Sequence, residues 1–452
     1  MNIIIAGNGK VGKTLARRLS EEGYNLTLID SDPQVLAEIC EECDVLGVQG
    51  NCASMPVLQQ AGVADADLLI AATNQDEVNL LCCTTAHGLN SKLHTIARIR
   101  NPEYSQQIYA MRDVFALSLS VNPEKQAARE IENLLRLPGF LQRDTFAKGR
   151  TAIVELRVDK DSKLRNALLN NLNTIVKCKV LVCAVLRDGE AITPGGNFVL
   201  REGDRIFVTA PTVNLSTLLK NLNIVTRKVR KVLLCGGGRV SLYLAELLCK
   251  DGIAVSILED DYDRCVQLAT ALPEATVIHA DATDKSSLEE QGLAGCDALV
   301  SLTGVDELNM IISLYANTRG VPHVITKLGH TENRTISNSL SLGSVISPRE
   351  LCCDTIVRYV RAMSNHSGTA ESVHTIANGQ VEAVEFRVDQ HTQYQSVPLK
   401  EIRLREGVLL VSITHGSTTE IPGGNSIFLE GDTIVAVTSR RGSLRQINDI
   451  FA

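Results

Sequence analysis

The sequence predicts an α/β protein with two Rossmann-like doubly wound parallel-sheet N-lobes, each followed by a small α+β C-lobe. Three observations point there. The chain contains itself twice, the second copy trailing by about 230 positions; short β-rich runs alternate with longer amphipathic segments in each copy; and a glycine-rich loop follows the first run of both. IIIAGNGKVG returns as VLLCGGGRVS, NLTLID as AVSILE, AATNQDEVN as SLTGVDELN, and ITPGGNFVLREGD as EIPGGNSIFLEGD. Repetition of this extent marks duplication of one ancestral unit, so each half is read against the other.

In the first copy the β-rich runs are Asn2 to Ala6, Leu26 to Ile29, Val45 to Val48, Leu68 to Ala71, Thr95 to Arg98 and a weaker Phe115 to Ser120. Helical patterns lie between them at Lys10 to Glu22, Asp32 to Cys43 and Gln75 to His87. Strand, helix, strand at this rhythm predicts a parallel sheet covered on both faces, with right-handed crossovers.

Pro123 then opens a helix with Ala127, Ile131 and Leu135 on one stripe, and Pro348 opens its repeat with Cys352, Ile356 and Val360 at the same spacing. Proline at the start and an apolar stripe predict a helix lying on an apolar surface. That surface is either the helix's own lobe or a partner lobe reached by crossing over. LPGFLQRD (137 to 144) and SNHSGTAES (364 to 372) read as linkers, each leading into a β-rich module. Pro194 to Asn197 and Pro422 to Asn425, then Glu202 to Asp204 and Glu430 to Asp432, read as turns between strands, the glycines supplying positive φ. The expected domains are 1–140, 141–225, 229–364 and 368–452.

Composition narrows the function. At 452 residues the chain exceeds one core, and no run of eighteen apolar residues or basic leader is visible. A soluble, unexported, cytoplasmic protein is expected. Its 13 cysteines sit singly or inside apolar runs, which reads as reduced thiols. Cys40 and Cys43 have metal-like spacing but no second pair, so no metal site is expected. A net charge of −7 with scattered Lys and Arg, and 4% aromatics without Trp, argue against nucleic acid.

The chemistry lies in GNGKVG. Gly7, Gly9 and Gly12 follow a strand, open a helix and precede Asp30, which ends the next strand. In that setting Gly7 permits the tight turn, Gly9 lets backbone approach a pyrophosphate and Gly12 lets helix pack on strand. The helix amides hold phosphate oxygens, and Asp30 accepts from ribose hydroxyls. A 2′-phosphate would meet Asp30 and Asp32, disfavouring NADP. Lys10 adds a cation that reaches terminal phosphates or stays solvated, so ATP or ADP stands beside NAD or NADH as ligand. Ala72, Thr73 and Asn74 end the fourth strand on the carboxyl edge, where this architecture binds ligands. Arg98 ends the fifth, placed to close over a phosphate or to pair with Glu77.

The second copy keeps Gly236, Gly238 and Arg239, with Glu259 for Asp30, but has Ser241 for Gly12 and Lys327 for Arg98. Asp281 aligns with Asn51. Two sites of different affinity or ligand are expected, the second partly degenerate. No Tyr precedes a Lys by four residues and no His-Glu-x-x-His occurs, so hydride-transfer machinery is not visible and no catalytic residue is assigned.

GNGKVG with Asp30, AATNQDEVNLLC, IARIRNPEY, VNPEKQAAREI and the PGGN and EGD turns together resemble the RCK (regulator of potassium conductance) domains, also called KTN. The resemblance spans nearly the whole chain. It implies N-lobes that bind NAD, NADH, ATP or ADP, pairing through the crossover helix, and a homotetrameric ring of eight lobes under a TrkH-type membrane potassium channel subunit. The protein would be cytoplasmic and peripheral at the inner membrane face, a gating component rather than an enzyme. The implied ligand positions are Gly7, Asn8, Gly9, Lys10, Val11, Gly12, Asp30, Asn51, Ala72, Thr73, Asn74 and Arg98. In the second copy they are Gly236, Gly237, Gly238, Arg239, Val240, Glu259, Asp281, Thr303 and Lys327. An NAD-dependent oxidoreductase and a nucleotide sensor for a different transporter are the alternatives.

Overall fold

A computed structural model describes the chain except residues 137–138, 225–227, 330–339, 341, 365–369, 378 and 441. His330, His366 and parts of both expected linkers lie outside the described residues.

The apolar run at the N-terminus becomes a central strand because both of its faces are buried. β1 (Asn2–Ala6), β2 (Asn25–Asp30), β3 (Leu46–Gln49), β4 (Leu68–Ala71), β5 (His94–Arg98) and β6 (Leu119–Val121) form one parallel sheet in the order 3-2-1-4-5-6. Alternation divides β1 between two cores. Ile3 and Ile5 join Leu28, Leu68, Ile70 and Ile96 on one face; Ile4 and Ala6 join Ile29, Leu69, Ala71 and Ala97 on the other. The expected sixth strand falls at Leu119–Val121 rather than Phe115 to Ser120, because Ala116 takes a positive φ of 51° and turns the chain first. Short helices at Met55–Gln60 and Pro102–Ala110, each with proline in its first turn, were not legible as amphipathic patterns.

Strands β7 (Gln142–Phe146), β8 (Thr151–Arg157), β9 (Leu181–Arg187), β10 (Glu190–Ile192) and β11 (Arg205–Pro211) make an antiparallel sheet in the order 10-9-11-8-7. The parallel sheet then repeats. β12 (Lys231–Cys235), β13 (Ala254–Glu259), β14 (Thr276–His279), β15 (Ala298–Ser301), β16 (His323–Lys327) and β17 (Ser344–Ile346) are ordered 14-13-12-15-16-17. The last sheet, β18 (Ala370–Ile376), β19 (Val381–Arg387), β20 (Val408–His415), β21 (Thr418–Glu420) and β22 (Thr433–Thr438), is antiparallel in the order 18-19-22-20-21. The two antiparallel sheets share a core in which Phe146, Ile153 and Phe207 meet Ile376, Val411 and Val435. In the Glu-Gly-Asp turns the buried aspartates hold the backbone: Asp204 accepts from Arg201 N at 2.7 Å and Asp432 from Leu429 N at 2.7 Å.

Compactness divides the chain across its own repeat. One unit is Met1–Gln126 with Pro348–Ser364, and the other takes Ala127–Ser347 and the C-terminal segment to Ala452. The Pro348–Met363 helix therefore leaves its own lobe. Its Cys352, Cys353, Ile356, Val357 and Val360 seal the first lobe's core against Val11, Leu15 and Leu19. Of the two expected placements for this helix, the structure has the crossed one, and both lobes involved belong to one chain. Polar contacts fix the packing: Arg18 donates to Asp354 at 2.6 Å and to Glu350, and Arg361 donates to Glu22. The Pro123–Arg136 helix is divided: its first turn to Gln126 stays with the first unit, and from Ala127 onward it goes with the second, where Arg136 pairs with Asp251 at 2.9 Å.

Candidate functional site: a glycine loop at each sheet's switch point

Strand order reverses between β1 and β4, and between β12 and β15, which opens a crevice at the carboxyl edge of each sheet. In the first lobe Gly7 enters that crevice at φ +90°, and a Cβ there would stand 2.8 Å from Thr73 Cα. Gly12 is as constrained, since a Cβ would come within 2.0 Å of Gly7 O. Gly9 differs: nothing lies within 4 Å of a Cβ at that position, so it faces open space. Two glycines serve the fold and the third leaves backbone exposed for a ligand.

The Lys10–Glu21 helix behind Gly9 has no side-chain cap and no acid in its first turn. Its first amides are thus left for an incoming anion. The next helix shows what capping would look like, Asp32 accepting from Gln34 N at 2.9 Å. Lys10 is exposed beside the uncapped turn. Val11 is different from its neighbours, with its side chain in the lobe's core, so only its backbone faces the loop.

Asp30 ends β2 half-buried. One carboxylate oxygen accepts from Asn8 N at 2.6 Å and the other from Asp32 N at 3.0 Å, so the acid expected from the sequence to hold ribose sets the loop. Asn8 is buried; its amide donates to Val35 O at 3.2 Å while its Oδ1 has no hydrogen-bond partner.

Thr73 is held by a residue that sequence reasoning passed over. Asn79, fully buried, accepts from Thr73 N at 2.8 Å and from its hydroxyl at 2.7 Å, and donates to Arg98 O at 2.8 Å. One amide therefore ties the ends of β4 and β5 together. Asp76 does the same a turn earlier, accepting from Arg100 N and Asn101 N at 2.8 and 2.7 Å. The signal was present: DEVN returns as DELN, so Asn79 and Asp76 recur as Asn309 and Asp306. Ala72 and Asn74 contribute carbonyls, to Arg98 Nη1 at 3.5 Å and Arg100 Nη2 at 2.5 Å.

Arg98 does not pair with Glu77, which accepts instead from the Tyr104 hydroxyl at 2.7 Å. Its Nε is buried without a hydrogen-bond partner. Burial and the neighbouring Arg100 pull the guanidinium below its ordinary pKa, a cation lacking full compensation. Asn51 is exposed on the loop after β3 and accepts from Ala53 N at 3.0 Å.

The second lobe reproduces this framework with altered chemistry. Gly236 has φ +102° and a Cβ there would lie 2.9 Å from Thr303 N, while Gly238 again faces open space. Glu259 replaces Asp30 faithfully, one oxygen accepting from Gly237 N and the other from Asp261 N at 3.1 Å. Arg239 is exposed at the start of an uncapped helix and Val240 is buried. Thr303 is fixed by Asn309 at 2.8 Å, which also donates to Lys327 O at 3.0 Å, and Lys327 donates to Leu302 O at 3.2 Å. Asp281 accepts from Thr283 N at 2.7 Å, the same turn as at Asn51, so the two differ in charge and not in local geometry.

Ser241 is fully buried, and its hydroxyl donates to Gly236 O, the counterpart of the Gly7 carbonyl that a side chain at Gly12 would strike in the first lobe. A tie replaces close packing. Arg264, at the position of Val35, donates to Gly237 O at 2.8 Å and adds a cation that the first loop lacks.

Two doubly wound lobes, each with an uncapped glycine-loop helix, an acid on the second strand and a cation on the fifth, and each followed by a small antiparallel sheet, define a tandem protein of the doubly wound, Rossmann-like α/β class. The TrkA-N domain model matches residues 3–115 and 232–348, and the TrkA-C domain model matches 153–223 and 383–452, so the chain belongs to the TrkA-N/TrkA-C family. It is 29% identical to the Trk system potassium uptake protein TrkA homolog 1 of Methanosarcina mazei over 96% of both chains. It is also 29% identical to the Trk system potassium uptake protein TrkA of Halomonas elongata, over 100% of this chain and 98% of that one. Among solved structures its fold is similar to the GsuK RCK domain (16% identity, 96% and 92% of the two chains, TM-score 0.61). It is similar too to the GsuK channel bound to NAD (17% identity, 97% and 76%, TM-score 0.61).

Proposed function

We propose that the chain is a cytosolic nucleotide-binding regulatory subunit that gates a Trk-type membrane potassium uptake channel in response to NAD(H), ATP or ADP. The observation that carries this reading is the first-lobe crevice. Asp30 holds the loop, Gly9 faces open space before uncapped amides, and Arg98 brings an incompletely paired cation to the same edge. Such a crevice favours an anionic nucleotide with free ribose hydroxyls over NADP. The family supplies the context, since the named relatives are potassium uptake proteins. Among the described residues no helix is long and apolar enough to cross a membrane, which suits a subunit that acts on a separate membrane partner of the TrkH type.

The four consecutive segments 1–140, 141–225, 229–364 and 368–452 serve in this proposal as repeat units, assembled as a homotetrameric ring of eight lobes. The chain works as a switch rather than a catalyst. A nucleotide shifts the ring only by its preference for one conformation, and reversing a 1:99 population takes on the order of 10⁴ in total preference, about 5.5 kcal/mol. Four equivalent sites reach that with about tenfold each. An oxidoreductase is disfavoured by the surroundings of Thr73 and Arg98, which are backbone carbonyls and a structural amide rather than a placed acid or base.

Copurification of the tagged chain with a TrkH-type subunit, and nucleotide-dependent potassium flux through the reconstituted pair, test the proposal. Flux that ignores every nucleotide overturns it. Flux through a different copurifying transporter supports the sensor reading in its place.

A further inference from the structure

The two antiparallel sheets are repeats of one another, and two of their equivalent residues touch. Counted back from Glu155 in AIVELRV and Glu385 in EAVEFRV, Asp144 and His374 hold the same place in their copies. Strand register agrees, Asp144 lying opposite Ile153 as His374 lies opposite Ala383. In the joint between the sheets His374 Nδ1 stands 3.1 Å from Asp144 Oδ1, the side chains 12% and 16% exposed. A carboxylate only accepts, so the imidazole donates whether it is charged or neutral. The second Asp144 oxygen accepts from Gln142 Nε2 at 2.7 Å, and the Phe146 ring meets the imidazole edge-on at 4.7 Å. Equivalent positions that touch each other lie on the axis of a two-fold arrangement. Two identical lobes would hold identical residues there; duplication has put an acid on one side and an imidazole on the other.

We infer that Asp144 and His374 are the specificity-determining pair of this joint, through which the first C-lobe accepts the second C-lobe and refuses another copy of itself. Joining two first C-lobes would set Asp144 against Asp144, two carboxylates with no proton between them. Joining two second C-lobes would set His374 against His374, with no carboxylate to accept from either. Choosing a partner takes such a repulsive alternative as well as an attractive contact. The surroundings already resist further negative charge, since burial, then Asp144, raises the Glu130 carboxyl from its ordinary 4.5 to about 7.

Other contacts across the joint either hold it or help to choose. Arg150 and Gln380, again equivalent, each reach the hairpin turn of the opposite lobe: Arg150 donates to Gly416 O, and Gln380 donates to Gly189 O at 2.6 Å while accepting from Ala191 N at 2.9 Å. Their partners are backbone groups that both lobes present, so they hold the joint without selecting. Glu385 selects. It accepts from Ala147 N across the joint and from the Ser372 hydroxyl, both at 2.7 Å. Its repeat, Glu155, is paired with Arg205 of its own lobe, where the second copy has Thr433. A first C-lobe facing a copy of itself would therefore offer the Ala147 amide only a carboxylate that is already paired. The choice matters where several copies meet, as in the proposed ring; the pairing itself does not rest on that reading.

The test uses the full chain and amide hydrogen exchange, read by mass spectrometry at β7 and β18. His374→Asp and Asp144→His, which put like residues on the axis, are each expected to exchange at least about tenfold faster there than wild type, and the double variant carrying both changes to return to within about threefold. Where a single variant does not fold, recovery of folded protein in the double variant supports the pair in the same way. Single variants with wild-type protection, or a double variant as exposed as the singles, overturn it. Choice between copies is read by co-expressing the two single variants under different tags. One chain then carries only acids at the axis and the other only imidazoles, so unlike joints form only by exchange of lobes between chains. Protection regained in the copurified pair is the expected result; protection left at the level of the separate variants, or no copurified pair, overturns the selection. Nucleotide is absent from every arm, so failure of the crevice assignment alters neither outcome.

Discussion

At the residue scale, single atoms decide what the loop tolerates. Gly12→Ser places a Cβ 2.0 Å from Gly7 O in the ideal geometry, so it is expected to destabilise the first lobe by at least 2 kcal/mol through overpacking. The reverse exchange, Ser241→Gly, loses one hydroxyl bond to Gly236 O and is expected to cost about 1 kcal/mol. Urea midpoints measured on the two variants check the contrast. Asn79→Ala strands the Thr73 amide and the Arg98 carbonyl, and is expected to cost about 2 to 3 kcal/mol and weaken nucleotide binding with it. The steric roles of Gly7 and Gly12 were legible in the sequence because strand, loop and helix occur at a spacing with one physical reading, whereas the bonds by which Asp30 holds the loop were not. Asn79 was not singled out, although DEVN and DELN both display it, because a buried structural amide looks like any polar helix residue until its partners are in place. The Ser241 hydroxyl bond was not legible for a related reason: side-chain size is visible in sequence, whereas an acceptor within reach is not.

At the element scale, the two proline-led helices carry the organisation. Their apolar stripes were legible as 3.6-residue periodicity, but which lobe each would cover was not, since a stripe specifies an apolar partner and not its identity. In the structure the Pro348–Met363 helix covers the first lobe and is pinned by Arg18 between Glu350 and Asp354. Arg18→Met removes the cation that both Glu350 and Asp354 pair with across this packing. The expected loss is on the order of 3 kcal/mol, seen as an early unfolding transition of the first unit in calorimetry. The Pro123–Arg136 helix carries a pH dependence. Burial, then Asp144, raises the Glu130 carboxyl to about 7 from its ordinary 4.5, against opposing effects of Arg143, Asn133 and His374. The folded state thus holds a proton that the unfolded state releases between about pH 4.5 and 7. Glu130's contribution to stability is full below that window and declines as pH rises through it. Glu130→Gln is expected to flatten the fall in melting temperature between pH 5 and 7.5; an unchanged slope in differential scanning fluorimetry contradicts the assignment.

At the scale of the whole molecule, duplication lets one chain carry two crevices on one framework while their chemistry diverges. Asp30 and Glu259 set their loops identically, yet the second lobe adds Arg264, ties its loop with Ser241 and ends β16 with Lys327. The two are therefore expected to differ in affinity by at least tenfold for the same nucleotide, resolved as two phases in a calorimetric titration of wild type and as one phase in Glu259→Ala. The tandem layout, the doubly wound order and the loops were readable because a duplicated pattern tests itself. The joint core of Phe146, Phe207, Ile376 and Val435 was not, because alternating strands announce two apolar faces without naming what meets them. The most direct measurement is a thermal-shift and titration panel of NAD, NADH, NADP, ATP and ADP on wild type and Asp30→Ala. Binding of NAD(H) or of ATP and ADP in preference to NADP, weakened at least tenfold in Asp30→Ala, is the predicted result. No shift with any nucleotide, or equal affinity in the variant, would contradict the assignment of the first crevice.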